Sequence, residues 1–408
     1  VLSGQSILCF APDPWDDIWR NRHQIMSLLA ERNQVLYVEP RPYLRPVLQR
    51  ARRGEISWAE LTAPRVWAAK PGLHVFRHPL YAPLSGRAPL SALTEALRIA
   101  ALRRAMRQVG VTRPILWLFK PDMVDVPGHW GERLLIYHIV DEYTGYADVD
   151  VGRAEDIRRR EQELIEKADL VLVTSRELLV SKGGVNPNTH WVPNAVDYDR
   201  FLAASIAETE PADLVGLPRP RIAYVGAVND KLDVDLLLRV ADAYPAYTLV
   251  LVGPVRVTTK EARCTIEALR TRPNVRLVGR VPVEQVPHYM AACDVGLLPY
   301  LRNDWTRHIH PLKMYEYLAC GLPVVATDLP AVHEEADVVT IAADAKAFIA
   351  AIAQALRDDN DALRQARRDR AAQNTWRQRV ERISELIQET MDRKSHHARS
   401  DQTDRRMV

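Results

Sequence analysis

Short apolar runs recur along the chain, separated by stretches whose apolar positions fall three or four residues apart. The first series comprises residues 7–10 (ILCF), 35–38 (VLYV), 115–119 (ILWLF), 134–137 (LLIY) and 170–173 (LVLV). A helix is predicted over about 19–32, and a charged one over about 152–168. The second series opens at 222–226 and continues at 248–253, 275–279, 294–299, 324–326 and 338–341, with a helical period over 234–243. The runs are continuous rather than alternating, as expected of strands covered on both faces. Alternation of such strands with helical stretches predicts α/β architecture with parallel sheets. With 408 residues the chain is too long for one core, so each series is assigned its own Rossmann-like domain.

Between the series lies a polar, Pro-containing stretch, 203–220 (AASIAETEPADLVGLPRP), which reads as a linker. The predicted division is an N-terminal domain over 1–205 and a C-terminal domain over 206–375. A helix over 376–391 is expected to return to the first domain, followed by a disordered tail over 392–408, too polar to bury apolar surface. Ligands of such sheets bind outside the strand C-termini, which makes the inter-domain cleft the expected site. Three strands of the second series run into Gly226, Gly253 and Gly279, where the chain must turn sharply or admit a ligand.

Charge alters the picture. Residues 1–120 carry 18 Lys and Arg against 8 Asp and Glu, a net +10, whereas the rest carries 37 against 44, a net −7. Much of the excess lies in Arg41–Arg53 (RPYLRPVLQRARR), five arginines without an acid, and Leu97–Gln108 (LRIAALRRAMRQ). Both interleave arginine with apolar residues, a pattern suited to an anionic membrane surface. No nucleic-acid motif accompanies them. No run approaches the roughly 18 apolar residues of a membrane span, and the first residues lack a signal peptide's apolar core. The four cysteines, Cys9, Cys264, Cys293 and Cys320, are scattered beside apolar runs and read as small buried hydrophobes. The expected location is cytoplasmic, peripheral on the inner face of the plasma membrane.

Residues 310–330 (HPLKMYEYLACGLPVVATDLP) concentrate the candidate chemistry. His310-Pro311 suits a helix start, where a missing N–H loses no partner. The free amides of Leu312, Lys313 and Met314 would then face the cleft with the positive end of the helix dipole, a site for phosphate. Glu316 would lie just inside, within reach of sugar hydroxyls. Gly321 and Pro323 end the helix, and Val324 enters the sheet at once.

This segment resembles the signature of GT-B glycosyltransferases, especially glycosyltransferase family 4, through Glu316–Thr327 (EYLACGLPVVAT). The resemblance extends to VPNAVD at 192–197, YVGAVNDKLDVDLLL at 224–238, VRLVGRV at 275–281 and YMAACDVGLLPY at 289–300. It implies a GT-B fold of two tandem Rossmann-like domains, with the acceptor on the first and the nucleotide sugar on the second. Glu316 would hold the nucleotide ribose. The first Glu of the usual pair falls at His308, whose task would pass to His308, His310 or Lys313. Lys231 occupies the place of a diphosphate-binding lysine beyond Gly226, while Ala227 replaces the accompanying arginine. Gly253 belongs to the same donor side, and Arg280 and Val281 fall where main chain meets the base.

On the first domain, YHIVDEY (Tyr137–Tyr143) puts His138 and Asp141 at a strand's C-terminal end, where a group can act on the donor sugar or accept a proton. Asp141 is the first catalytic candidate and His138 the second. Arg20, Arg22 and His23 follow the first strand and could meet an anionic acceptor or the donor phosphates. Asp233 and Asp235 have the spacing of a metal clamp but read as a helix cap. No metal or other cofactor is expected. The resulting expectation is transfer of a sugar from a nucleotide-diphosphate sugar, with UDP the first guess, to a lipid-linked saccharide or surface glycan. The rivals are a sugar-nucleotide 2-epimerase of the same fold and a non-catalytic GT-B-fold assembly partner.

Overall fold

The computed structural model describes residues 2–404 other than 59, 61–64, 85–89, 147–148 and 208, with side chains as far as 396. One sheet contains β1 (Ser6–Phe10), β2 (Gln34–Val38), β3 (Val66–Lys70), β4 (Leu73–Phe76), β5 (Ile115–Leu118), β6 (Leu134–Ile139), β7 (Leu170–Val173) and β8 (Thr189–Trp191). Their order is β3-β4-β2-β1-β5-β6-β7-β8, parallel except for β3 against β4. β3 and β8 have no fully buried residue, which is why no continuous apolar run marks them in the sequence.

The second sheet contains β9 (Arg221–Val225), β11 (Thr248–Val252), β13 (Val275–Gly279), β14 (Val295–Leu298), β15 (Val324–Thr327) and β16 (Val339–Ala342). It is parallel throughout, in the order β13-β11-β9-β14-β15-β16. A two-stranded ribbon of β10 (Val228–Asn229) and β12 (Val255–Arg256) stands beside it. The two α/β units, each with its own apolar core, constitute a GT-B fold.

Successive residues of the first sheet's strands feed opposite cores, as the pleat requires. Ile7, Cys9, Val35 and Tyr37 pack with Trp376, Val380 and Ile383 of the C-terminal helix Trp376–Asp404. Leu8, Phe10, Leu36 and Val38 pack on the other face with Leu102 and Leu164. The chain leaves the first domain near 192–197 and returns at 374–376. There the Val196 amide donates to Asn374 O (3.0 Å) and the Trp376 amide donates back to Val196 O (3.0 Å). Exit and return are therefore fastened together at one crossing.

Two expectations are corrected. The helix continues through 392–404, where an unstructured tail was expected. Its first turn there is tied to the first domain by Lys394 Nζ on Asp169 Oδ2 (2.7 Å), and 405–408 lie outside the described residues. Cys264 is exposed on the polar face of helix Lys260–Arg270, whereas the other three cysteines are buried.

Candidate active site

The strand C-termini of both sheets open onto one cleft holding two adjoining cavities of about 430 and 690 Å³. Ile18, Gly226, Leu312 and Lys313 line both and mark the junction. The smaller cavity lies between Arg20, Arg22 and Asp141 of the first domain and Lys231, Tyr300 and His310 of the second. The larger runs past Gly253, Arg280, Val281 and Glu316, faced by Trp15, Asp17 and Trp19.

At the junction Gly226 (φ 146°) bends the chain after β9 in a conformation that L side chains rarely adopt, and Lys313 lies against it. A Cβ there would meet Lys313 Cε at 2.0 Å and its Nζ at 2.5 Å. Helix Leu312–Ala319 starts one residue later than expected: Pro311 is the N-cap rather than the first helical residue. The Met314 amide is used within that turn, donating to Pro311 O (3.3 Å). The next amides, of Leu312 and Lys313, have no carbonyl within the helix to accept them, the usual condition of a helix start. Asn194 braces this start from the inter-domain crossing: its Nδ2 donates to His310 O (2.7 Å), and its Oδ1 accepts from Asn21 Nδ2 (3.2 Å).

Positive charge gathers in the cleft. Lys231 and Lys313 have no carboxylate within salt-bridge distance among the described residues; their ammonium groups lie over the rings of Tyr300 and Tyr224 at 5.4 and 5.3 Å. Burial, then repulsion from Lys313 and Arg20, pushes Lys231 down to about 7. Lys313 falls to about 8 through burial, with Glu316 opposing and Arg20 assisting. Arg22 is buried, bonds Asp13 and lies 5.4 Å from the Phe119 ring centroid. Its Nε and Nη1 have no hydrogen-bond partner among the described residues.

Burial raises the pKa of Glu316, with Lys313 and Arg200 opposing. Asp141 is also raised by burial. Lys231, the Tyr146 hydroxyl, the Trp305 indole and Arg20 pull the other way.

Three predicted residues lie away from both cavities. His138 is buried beneath the floor, stacked on Phe119 (5.3 Å between centroids), with neither ring nitrogen hydrogen-bonded among the described residues. Burial, then Arg22, pushes it down to about 3. His23 caps its own helix, its Nδ1 accepting from the Arg20 amide (3.1 Å). His308 Nδ1 faces Asp304 O at 2.7 Å on the loop before the cleft. Asp233 caps helix Val234–Ala243 by accepting from the Leu236 amide (2.8 Å), as the sequence suggested.

Sequence reasoning missed Asp13, Asp17, Asn194 and Trp305. Asp17 joins the domains by accepting from Arg256 Nη2 (3.1 Å), and Arg280 bonds the Asp16 carbonyl beside it. The available signal for Trp305 was a large aromatic in an otherwise polar loop, LRNDWTRH.

Residues 219–358 match the family model described as Glycosyl transferases group 1. The Bacillus subtilis (strain 168) glycosyltransferase TuaH, provisionally assigned to teichuronic acid biosynthesis, is 27% identical over 329 residues, 77% of this chain and 78% of the relative. Among solved structures, sucrose-phosphate synthase of Thermosynechococcus elongatus aligns with TM-score 0.70 and 19% identity, covering 94% of this chain and 98% of that one. Anabaena HepE, in complex with UDP and glucose, aligns at TM-score 0.63 and 16% identity over 94% and 99%.

Proposed function

We propose that this chain, a glycosyltransferase of the GT-B fold, moves a sugar from a nucleoside-diphosphate donor to a hydroxyl of a lipid-linked saccharide or surface glycan. The observation that carries the reading is the cleft beside the helix start, where Lys231 and Lys313, neither paired with a carboxylate among the described residues, converge with Arg20. A diphosphate laid there would put its nucleoside in the larger cavity and its sugar in the smaller.

Glu316 would accept the ribose hydroxyls, and the main chain at Arg280 and Val281 would meet the base. The lysines and the helix start would take up charge as the diphosphate departs, the electrostatic contribution that dominates many transferases. They make a divalent cation unnecessary for that charge, and a chelator is expected to leave turnover unchanged. Asp141, facing Lys231 across the smaller cavity, would accept the acceptor's proton. UDP is the favoured nucleotide, a choice supported by the HepE complex; a surface glycan as acceptor is supported by the likeness to TuaH.

The acceptor's lipid would be met by the basic surface. Helix Leu44–Arg52 has no buried residue, and Tyr43, Leu48, Leu84, Leu93 and Leu97 are exposed. The two basic stretches are joined where Arg41 and Arg98 both bond Glu95. Arginine beside exposed aliphatic side chains suits an anionic bilayer.

The test is a thermal-shift panel of UDP, GDP, dTDP and their common sugar conjugates on the native chain and Glu316→Ala. A ligand that binds only the folded state raises its melting temperature. A shift with one base, lost in the variant, supports the donor site, and no shift with any refutes it. Turnover without acceptor would favour epimerisation instead.

A further inference from the structure

The carboxylate of Asp141 is held from both sides. Its Oδ2 accepts from the Tyr146 hydroxyl (3.0 Å) on its own loop. Its Oδ1 accepts from the indole Nε1 of Trp305 (3.1 Å), which belongs to the other domain. We propose that Trp305 is a positioning residue: closure of the domains brings its N–H onto Asp141 and so completes the acceptor-side base. This rests on the reading of Asp141 above.

The contact is built rather than grazing. The Trp305 ring packs against Tyr146 with centroids 4.9 Å apart. Gly145 lies so close that a Cβ there would stand 2.8 Å from Trp305 Cα and 3.0 Å from its Cβ. The tryptophan is carried on a compact turn in which the Thr306 amide donates to Asn303 Oδ1 (3.0 Å) and the Asn303 amide to Thr306 Oγ1 (3.1 Å). Its backbone position is therefore fixed before the domains meet.

The chemistry suits the role. An indole N–H only donates, so it favours the ionised carboxylate and cannot take the proton that Asp141 receives. Burial works against that ionised form. The other groups acting on the carboxylate are Lys231 and Tyr300 of the second domain, Arg20 at the helix after β1, and Tyr143 and Tyr146 of its own loop. With the domains apart, Asp141 would lose Trp305 and Lys231 together. An open enzyme would then hold a poorly oriented base, which limits misplaced proton transfer before donor and acceptor are enclosed.

Trp305→Phe retains a ring for Tyr146 and removes only the donor. With selective 15N labelling, the Trp305 indole signal, assigned by its loss in this variant, is expected to titrate with Asp141 and to stop titrating in Asp141→Asn. Turnover is then followed with whichever donor of the thermal-shift panel gives the largest shift. Loss of one hydrogen bond to a charged group predicts a kcat about tenfold lower in Trp305→Phe, with donor KM nearly unchanged. Because the lost bond favoured the charged form, the acid limb of the kcat profile should move to higher pH. Gly145→Ala, which wedges the loops apart, should lower kcat in the same way without weakening donor binding.

An indole signal indifferent to Asp141→Asn, or native kcat and pH profile in Trp305→Phe, overturns the proposal. If Asp141→Asn itself turns over normally, the reading of Asp141 fails. If Asp141→Asn is inactive while Trp305→Phe behaves as native, only the positioning role fails.

Discussion

The two walls of the cleft are built differently. On the second domain Lys231, Lys313 and Glu316 stand on segments anchored directly to the sheet: the turn after β10 and helix Leu312–Ala319. The Leu301 amide donates to Lys231 O (2.9 Å), fixing that turn to the loop after β14. On the first domain Arg20 and Arg22 stand at the start of helix Asn21–Leu29 and Asp141 on the loop after β6, held by side chains such as Asp13 and Tyr146. In the reading proposed above, the second-domain wall would present cations to a donor. The other, more dependent on side-chain contacts, presents the carboxylate that would act on an acceptor, and part of its order comes from the opposite domain through Trp305. Binding and chemistry are thereby divided, and a substitution on one wall should leave the other function standing.

The largest expected effect is on the first wall. Asp141→Asn keeps the side chain's size and removes the base, and should lower turnover by about 100-fold or more, the usual worth of general-base assistance. Donor affinity, measured by calorimetry, should stay within about twofold, because no diphosphate contact is assigned to Asp141. Equal losses in both would erase the distinction between the walls.

On the second wall, Lys231→Ala and Lys313→Ala should each weaken donor binding by about tenfold or more, since charge-assisted hydrogen bonds contribute about 1.5–3 kcal/mol. The double variant should lose more than the product of the two, because Lys313→Ala relieves repulsion on Lys231 and so softens that single loss.

The two lysines also set a pH dependence. With Lys231 near 7 and Lys313 near 8 in the empty cleft, affinity for a diphosphate should fall as pH rises from about 7 to 9. Binding should take up protons, visible as a heat that varies with buffer ionisation enthalpy. The folding linkage has the opposite sense. Unfolded lysine titrates near 10.4, so the unfolded chain binds more protons above about 7, and the empty protein should gain stability as pH rises through that window. A pH-independent affinity would mean that the lysines do not face the phosphates.

The smallest effect concerns the basic surface of the first domain. Leu48→Glu, on the helix without buried residues, should reduce co-flotation with phosphatidylglycerol vesicles severalfold and leave solution turnover unchanged. Equal flotation with neutral phosphatidylcholine vesicles would remove the charge argument.

How much of this was legible in the sequence follows the same division. The core strands of both sheets announce themselves as continuous apolar runs, because parallel strands are buried on both faces; the exception is β4, an interior strand whose short run is broken by His74. The second wall could be read from GLPVV and the residues before it, since a helix start, a carboxylate and a strand lie within one short segment. β3 and β8 were hidden by their edge positions and partial exposure. The histidines misled: His23, His138 and His308 sit beside the right strand ends and loops, but their rings turn to a cap, to the core and to a loop carbonyl. Side-chain direction at a loop is decided by tertiary packing, which spacing along the chain does not encode. The Trp305–Asp141 bond spans 164 positions and two domains, so no local pattern could reveal it.

The most direct test of the central claim, that the junction of the two cavities grips a diphosphate, is calorimetric titration of the native chain and Lys231→Ala with UDP, GDP and dTDP and their monophosphates. The account predicts that one base binds, that its diphosphate binds at least tenfold tighter than its monophosphate, and that Lys231→Ala largely abolishes this difference. Equal affinity for mono- and diphosphate in the native chain, or no binding of any nucleotide, would contradict it.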